Sequence, residues 1–271
     1  MNPFNFNKIY VIESLDPKEQ TGKELYDDLL RWKESKNLKA ELIQVEDKLE
    51  FYDAIFHIIE EHKEFGYYPI LHIEVHGNKN GLELKSKEFL NWYDFYLLLV
   101  EINMHLGNHL FLTLAVCNGA YSMRQIEIEK PSPFYGFIGS FEESTIEDLM
   151  IRYNEFYYEL LESFNVYSAT KRLIESNPEE ISIYAYIGSE EVFNIVCENL
   201  KTIYSTEDIE QLINKEIENS NIKFKKTEDE TNYRAIYKDL LINTFQTKGE
   251  TYKNRFFMTD EFPENKERFN L

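Results

Sequence analysis

Cysteine is scarce. The 271 residues hold two, Cys117 and Cys197. That is too few for a disulfide framework and fits a reducing compartment, so a cytoplasmic location is expected. Glycine and proline are also few, ten and seven, which argues against a collagen-like or largely disordered chain. No stretch reaches the roughly 18 uninterrupted apolar residues of a membrane-spanning helix. The opening MNPFNFNKIYVIES has no basic segment leading into a long apolar run, so no secretory signal is expected. Positive charge is in deficit: 29 Lys and Arg stand against 49 Asp and Glu, a net charge of −20. Such a surface repels nucleic acid and anionic membranes and attracts basic peptide segments. A Gly-x-Gly-x-x-Gly run, a Walker loop and zinc-type Cys/His spacing are all missing, so no metal or resident cofactor is expected in the chemistry.

What is present is core-forming material. Hydrophobic residues make up 43% of the chain, with 20 Phe and 19 Tyr. Apolar runs alternate with helix-period segments. Residues 8–13, 38–45, 68–75, 109–116, 134–138 and 181–187 read as strands. Helices are expected from a Thr21–Glu24 capping box, over 49–64 with Gly66 as the stop, over 88–106, from a Ser144–Glu147 capping box, and over 166–176. In the 88–106 helix, Phe89, Trp92, Tyr93, Tyr96 and Val100 are expected to face the core. The alternation predicts an α/β fold with a mostly parallel sheet between helical layers. Beyond about residue 200 the pattern turns polar and helical. The expected division is a domain over 1–200 and a mainly helical C-terminal extension over 201–271, which could sense a ligand.

Two strand ends carry chemistry. Residues 68–75 lead into His76-Gly77, and the apolar run 109–116 leads into Cys117-Asn118-Gly119. Sites on open α/β sheets gather at the carboxyl ends of strands. An imidazole can take the proton of a thiol and so create the nucleophilic thiolate. The backbone N–H groups of Gly77 and Cys117 could receive the oxyanion of a tetrahedral intermediate. His72, Glu74 and His76 alternate and share one face of a strand. His72 reads as a satisfied core histidine. Glu74 reads as the partner of a nearby basic group rather than as an orienter of His76. Cys197, in VFNIVCENL, reads as core.

Three segments carry a family resemblance: ILHIEVHGNKNGLEL at 70–84, LFLTLAVCNGAYS at 110–122, and the strand, acidic turn and Phe/Tyr-rich helix that begin at FYGFIGS and run over 134–173. Together they resemble caspase-like (clan CD) cysteine peptidases, and among these the bacterial CHAT-domain proteases. The resemblance covers about residues 8–190. It implies a caspase-like three-layer αβα sandwich, with His76 as general base, Cys117 as nucleophile, and Gly77 and Cys117 as oxyanion donors. It further implies a signal-regulated cysteine endopeptidase of the cytoplasm, an effector of antiphage defence or regulated cell death. Proteins of this kind resemble the effectors of TIR-linked (Thoeris-type) systems, so a small nucleotide-derived activator is admitted. Arg152, Arg172 and Lys225 are the cations considered for its phosphate. Where the family has a Trp after the fourth core strand, this chain has Phe141-Glu142-Glu143. With Asn118, the acids Glu142 and Glu143 are the candidate substrate-binding residues, and they would favour a peptide with a basic P1 side chain. The rival reading is a catalytically inactive module of the same fold that senses a nucleotide or a protein partner.

Overall fold

The structure, a computed structural model, describes residues 6–36, 38–177, 181–203, 206–220, 222–224 and 226–271. Among the described residues the strands are β1 (Lys8–Ser14), β2 (Lys39–Gln44), β3 (Pro69–Asn78), β4 (Gly81–Glu83), β5 (Phe89–Asn91), β6 (Phe111–Ala115), β7 (Gly136–Ser140) and β8 (Tyr184–Gly188). The helices are α1 (Thr21–Lys36), α2 (Lys48–Phe65), α3 (Trp92–His105), α4 (Ile146–Ser163), α5 (Val166–Glu175), α6 (Ser189–Ile203), α7 (Thr206–Asn219), α8 (Thr227–Phe256) and α9 (Asn265–Arg268). The sheet order is β2-β1-β3-β6-β7-β8, with β4 and β5 as an antiparallel annex on β3. Every pairing along the main order is parallel except β7 with β8. Two helices, α4 and α5, join those two strands. An even number of traverses returns the chain to the end it left, so β8 runs backwards.

Period-two alternation in β1 divides the core. Tyr10 and Ile12 pack with α2 and α3 on one face, through Phe51, Ile55, Phe95 and Leu99. Ile9 and Val11 pack with α1, α4 and α5 on the other, through Leu25, Leu29, Phe156 and Leu173. The sheet is therefore covered by helices on both faces. All five residues of β6 are buried, as its nearly continuous apolar run predicts.

Several helix starts differ from the sequence expectation, each for a local reason. The helix expected over 88–106 begins at Trp92, because the Asn91 side chain accepts from the Asp94 N–H and ends β5 there. Phe89 and Tyr93 consequently face outward rather than into the core. Thr145, not Ser144, caps α4 by accepting from the Asp148 N–H. The Thr21 hydroxyl is drawn away from the backbone of α1 and donates instead to Glu74. Gly66 does stop α2, in the left-handed region at φ 68°.

The end of the chain does not stay in a separate C-terminal piece. Phe256, Phe257 and Phe269 belong to the same core as Tyr10 and Phe95. The Ser132 N–H donates to the Phe256 carbonyl at 2.9 Å. Asn265 Nδ2 donates to the carbonyl of Phe257 at 2.7 Å. Arg268 donates to the carbonyls of Gly107 and Asn108 and to Nε2 of His109. A Cβ on Gly107, whose φ is +59°, would lie 2.9 Å from the Phe262 ring. The tail thus clasps the turn that feeds β6. The expected division at residue 200 does not describe these last residues.

This clasp carries a pH dependence. Burial, then the neighbouring charges of Arg268 and His62, hold the His109 imidazole down to about 3, against an ordinary value of 6.5. Between those values the unfolded chain binds a proton that the folded chain refuses. The stabilisation is complete above about pH 6.5 and is lost as pH falls toward 3. Urea midpoints measured across that window should decline, and the decline should flatten in His109→Gln, which keeps an acceptor for Arg268.

No helix of the described residues is long and apolar enough to cross a membrane.

Candidate active site

The register of β3 and β6 places the two motif residues side by side. The last parallel pair is Glu74 with Ala115. His76 lies two residues beyond it within β3, and Cys117 two residues beyond it in the turn that follows β6. His76-Gly77 is not past the end of its strand, as expected from sequence, but inside β3, which continues beyond the parallel pairing to pair with β4. Gly77 runs hard against the cysteine segment. A Cβ built there would lie 2.2 Å from Val116 Cγ1 and 2.7 Å from the Cys117 carbonyl oxygen, so only glycine allows this approach.

The β3–β4 hairpin also sets the direction of the Gly77 amide. Asn78 and Gly81 close a two-residue turn, and Gly77 faces Leu82. Ladder alternation makes Asn78–Gly81 the hydrogen-bonded pair and Gly77–Leu82 the non-bonded one. The Gly77 N–H therefore points away from β4.

After Cys117 the chain turns sharply. Asn118 is buried and in the left-handed region at φ 60°, and a 3-10 helix, Gly119–Gln125, follows. The Asn118 N–H donates to the Glu142 carbonyl at 3.0 Å. The Ser140 hydroxyl bridges the carbonyls of Val116 and Glu142, at 3.2 and 3.0 Å. These bonds tie the turn after β7 to the Cys117 turn, so Glu142 and Glu143 stand at its rim with their side chains exposed. A cavity of about 270 Å³ opens beside them, lined by Ala120, Tyr121, Met123, Arg124 and Phe141. The Arg124 guanidinium lies over the Tyr121 ring at 4.4 Å.

The two principal side chains are engaged elsewhere. Cys117 Sγ is half-buried and donates weakly to the Ser144 carbonyl at 3.8 Å. His76 is exposed, and its Nε2 lies 3.0 Å from Glu19 Oε2. No hydrogen bond joins His76 to Cys117 among the described residues. The strands bring the residues to one edge of the sheet, where the His76 ring meets Glu19 and the Cys117 thiol meets Ser144.

Beneath His76 lies a buried polar network. His72, fully buried, reaches Thr113 Oγ1 through Nδ1 at 2.8 Å and Glu74 Oε1 through Nε2 at 2.9 Å. Glu74 Oε2 accepts from the Thr21 hydroxyl at 2.7 Å. His72 is thus a satisfied core histidine, and Glu74 is its partner, not that of His76.

Sequence reasoning missed Glu19. The signal was its position in the loop after β1, the strand next to β3, at the same carboxyl edge of the sheet. Of the cations considered for a phosphate, Arg152 is fully buried and bonded to Asp148 at 2.6 Å, and Arg172 pairs with Glu155 at 2.7 Å. Neither stands at the site, and Lys225 lies outside the described residues. Cys197 is half-buried at the margin of the core. Among the described residues one group has metal-ligand composition: Glu41, His57 and Glu61, on β2 and α2. Lys8 Nζ already bonds both carboxylates, at 2.6 and 2.5 Å, and supplies the positive charge there. No protein-family model and no curated protein matches the chain, and the case for the site rests on its own geometry.

Proposed function

We propose that this chain is a cysteine endopeptidase built on a caspase-like αβα sandwich, with Cys117 as nucleophile and His76 as general base. The observation that carries the reading is the join at the strand ends: Gly77, beside His76, packed on the Cys117 peptide. A glycine pressed this closely against a cysteine at the carboxyl edge of a sheet provides nucleophile, base and oxyanion donor in one place.

In the reaction, the Cys117 thiol leaves the Ser144 carbonyl and turns toward His76. His76 takes the thiol proton as the sulfur attacks the scissile carbonyl carbon. The N–H groups of Gly77 and Cys117 hold the resulting oxyanion. His76 then returns the proton to the departing amine, and the acyl-enzyme remains. Water, deprotonated by His76, releases the acid and restores the thiol. General-base assistance of this kind contributes about 10²–10⁴ in rate.

The resting arrangement supports a latent enzyme. Cys117 Sγ faces the Ser144 carbonyl rather than His76, so a signal must move the Ser144 turn or the cysteine. Within the reading, the protein acts in the cytoplasm as an effector of antiphage defence or regulated cell death, with a nucleotide-derived activator as the candidate signal. Its substrate is a protein or peptide, not a nucleic acid, given the net charge of −20. A basic P1 side chain would be received at the exposed Glu142–Glu143 rim, since Arg124 lines the cavity itself.

The second reading, an inactive sensing module, is favoured by one observation: His76 and Cys117 hold separate partners. A thiol-directed peptide ketone separates the two. With and without candidate nucleotides, the labelled residue is mapped by peptide mass spectrometry. Modification of Cys117, with Cys197 spared, is the expected result. Labelling of both cysteines at equal slow rates under every condition would favour the module.

A further inference from the structure

We infer that Glu19 is a positioning residue for His76, holding the ring proton on Nε2 so that Nδ1 is the nitrogen left to take the proton of Cys117. The inference rests on the reading of His76 as base and Cys117 as nucleophile.

A carboxylate only accepts, so the imidazole nitrogen 3.0 Å from Glu19 Oε2 carries the hydrogen. That nitrogen is Nε2, and in a neutral ring the lone pair then falls on Nδ1. One contact thereby fixes both the tautomer and the rotation of the ring. Without it, an exposed histidine on a strand is free to flip and to exchange tautomers.

The position of Glu19 is set by buried structure rather than by the exposed pair itself. Its N–H donates to the Asp16 carbonyl at 2.9 Å, and its carbonyl accepts from the Thr21 N–H at 2.7 Å. Thr21 is in turn bonded to Glu74, two residues before His76 on the same strand and the same face. A Cβ on Gly22 would lie 3.0 Å from Glu74 Cγ, so the first turn of α1 rests directly on that side chain. His72 holds Glu74 from the other side. The loop bearing Glu19 is thus fastened to the strand that bears His76. This gives the buried His72–Glu74–Thr21 network a role at the site without contact with substrate.

The test uses the full chain and three variants, Glu19→Ala, Glu19→Gln and Glu19→Asp. Far-UV circular dichroism and thermal midpoints should match wild type, because the pair is half-exposed. Against a cleaved peptide, Glu19→Ala should lose about 10- to 100-fold in kcat with KM unchanged, and Glu19→Gln, which still offers an acceptor, should lose less. Nitrogen-15 shifts of His76 should show a single Nε2–H tautomer in wild type and a mixture in Glu19→Ala. A purely structural Glu19 would move neither the kcat/KM split nor the tautomer. Wild-type kcat in a folded Glu19→Ala protein, or mixed tautomers in wild type, would overturn the inference while leaving the nucleophile assignment standing. Should wild type cleave no peptide and take no thiol probe, the peptidase reading fails by itself, and the tautomer measurement still decides whether Glu19 holds His76.

Discussion

Cys117→Ala is expected to bring peptide cleavage to background, a loss on the order of 10⁴-fold or more, with the fold intact. The thiol supplies the only bond to the substrate carbonyl in the proposed reaction, and His76 has nothing to activate without it. The structural cost should be small. Cys117 is half-buried, and its only side-chain bond among the described residues is the weak 3.8 Å contact to Ser144. Unfolding in urea should therefore shift by no more than about 1 kcal/mol. Cys197→Ala is the matched control, since that residue lies at the edge of the core and far along the chain in α6. Cleavage that persists in Cys117→Ala, or vanishes in Cys197→Ala, would sink the assignment of the nucleophile.

The largest effect on stability is expected from Arg152→Met. Arg152 is fully buried on α4. Its Nε donates to Asp148 Oδ1 at 2.6 Å, and its Nη1 donates to the carbonyls of Leu173 and Ile174 at 2.9 and 2.8 Å. It satisfies the open carbonyls at the end of α5 and fastens that helix to α4. Asp148, 2% exposed, also accepts from Asn177 at 2.8 Å. Removing the guanidinium leaves that carboxylate buried with one neutral donor. Breaking one side of a buried pair costs about 3–5 kcal/mol, much of it the stranded charge. Pairing Arg152→Met with Asp148→Leu should recover part of the loss. A fall in unfolding free energy of under about 1 kcal/mol for the single variant would show that the pair does not hold α5 in place.

Much of the scaffold was legible in the sequence because its signals are local. The nearly continuous apolar run 109–116 reads as a strand covered on both faces, and β6, within it, is buried throughout. His-Gly and Cys-Asn-Gly at two run ends sufficed to put His76 and Cys117 on one edge of the sheet. The misreadings share a cause: competition for a polar group that sequence spacing does not reveal. Thr21 looked like a helix cap, but the buried Glu74 carboxylate takes its hydroxyl. Ser144 looked like another, but Thr145 is the one that accepts from Asp148. Phe89 and Tyr93 fit a helical period that begins four residues too early, since Asn91 stops the strand first. Glu19 has no motif at all. It is brought to His76, 57 positions away, only by the adjacency of β1 and β3. The return of the tail was invisible for the same reason.

That return has a consequence for how the molecule comes into being. Arg268 meets His109 across 159 positions, and Phe256, Phe257 and Phe269 complete the core that also supports β3. Contacts of such sequence separation form late, because a long loop must close before they yield anything. On the ribosome, the strand that leads to Cys117 is made well before residues 256–269, yet the turn feeding that strand waits for those residues to emerge. Cys117 is synthesised before the residues that support its strand. Translation itself therefore delays the assembly of the site, and a chain cut short before Phe256 would carry Cys117 and His76 without the packing that holds their strands in place.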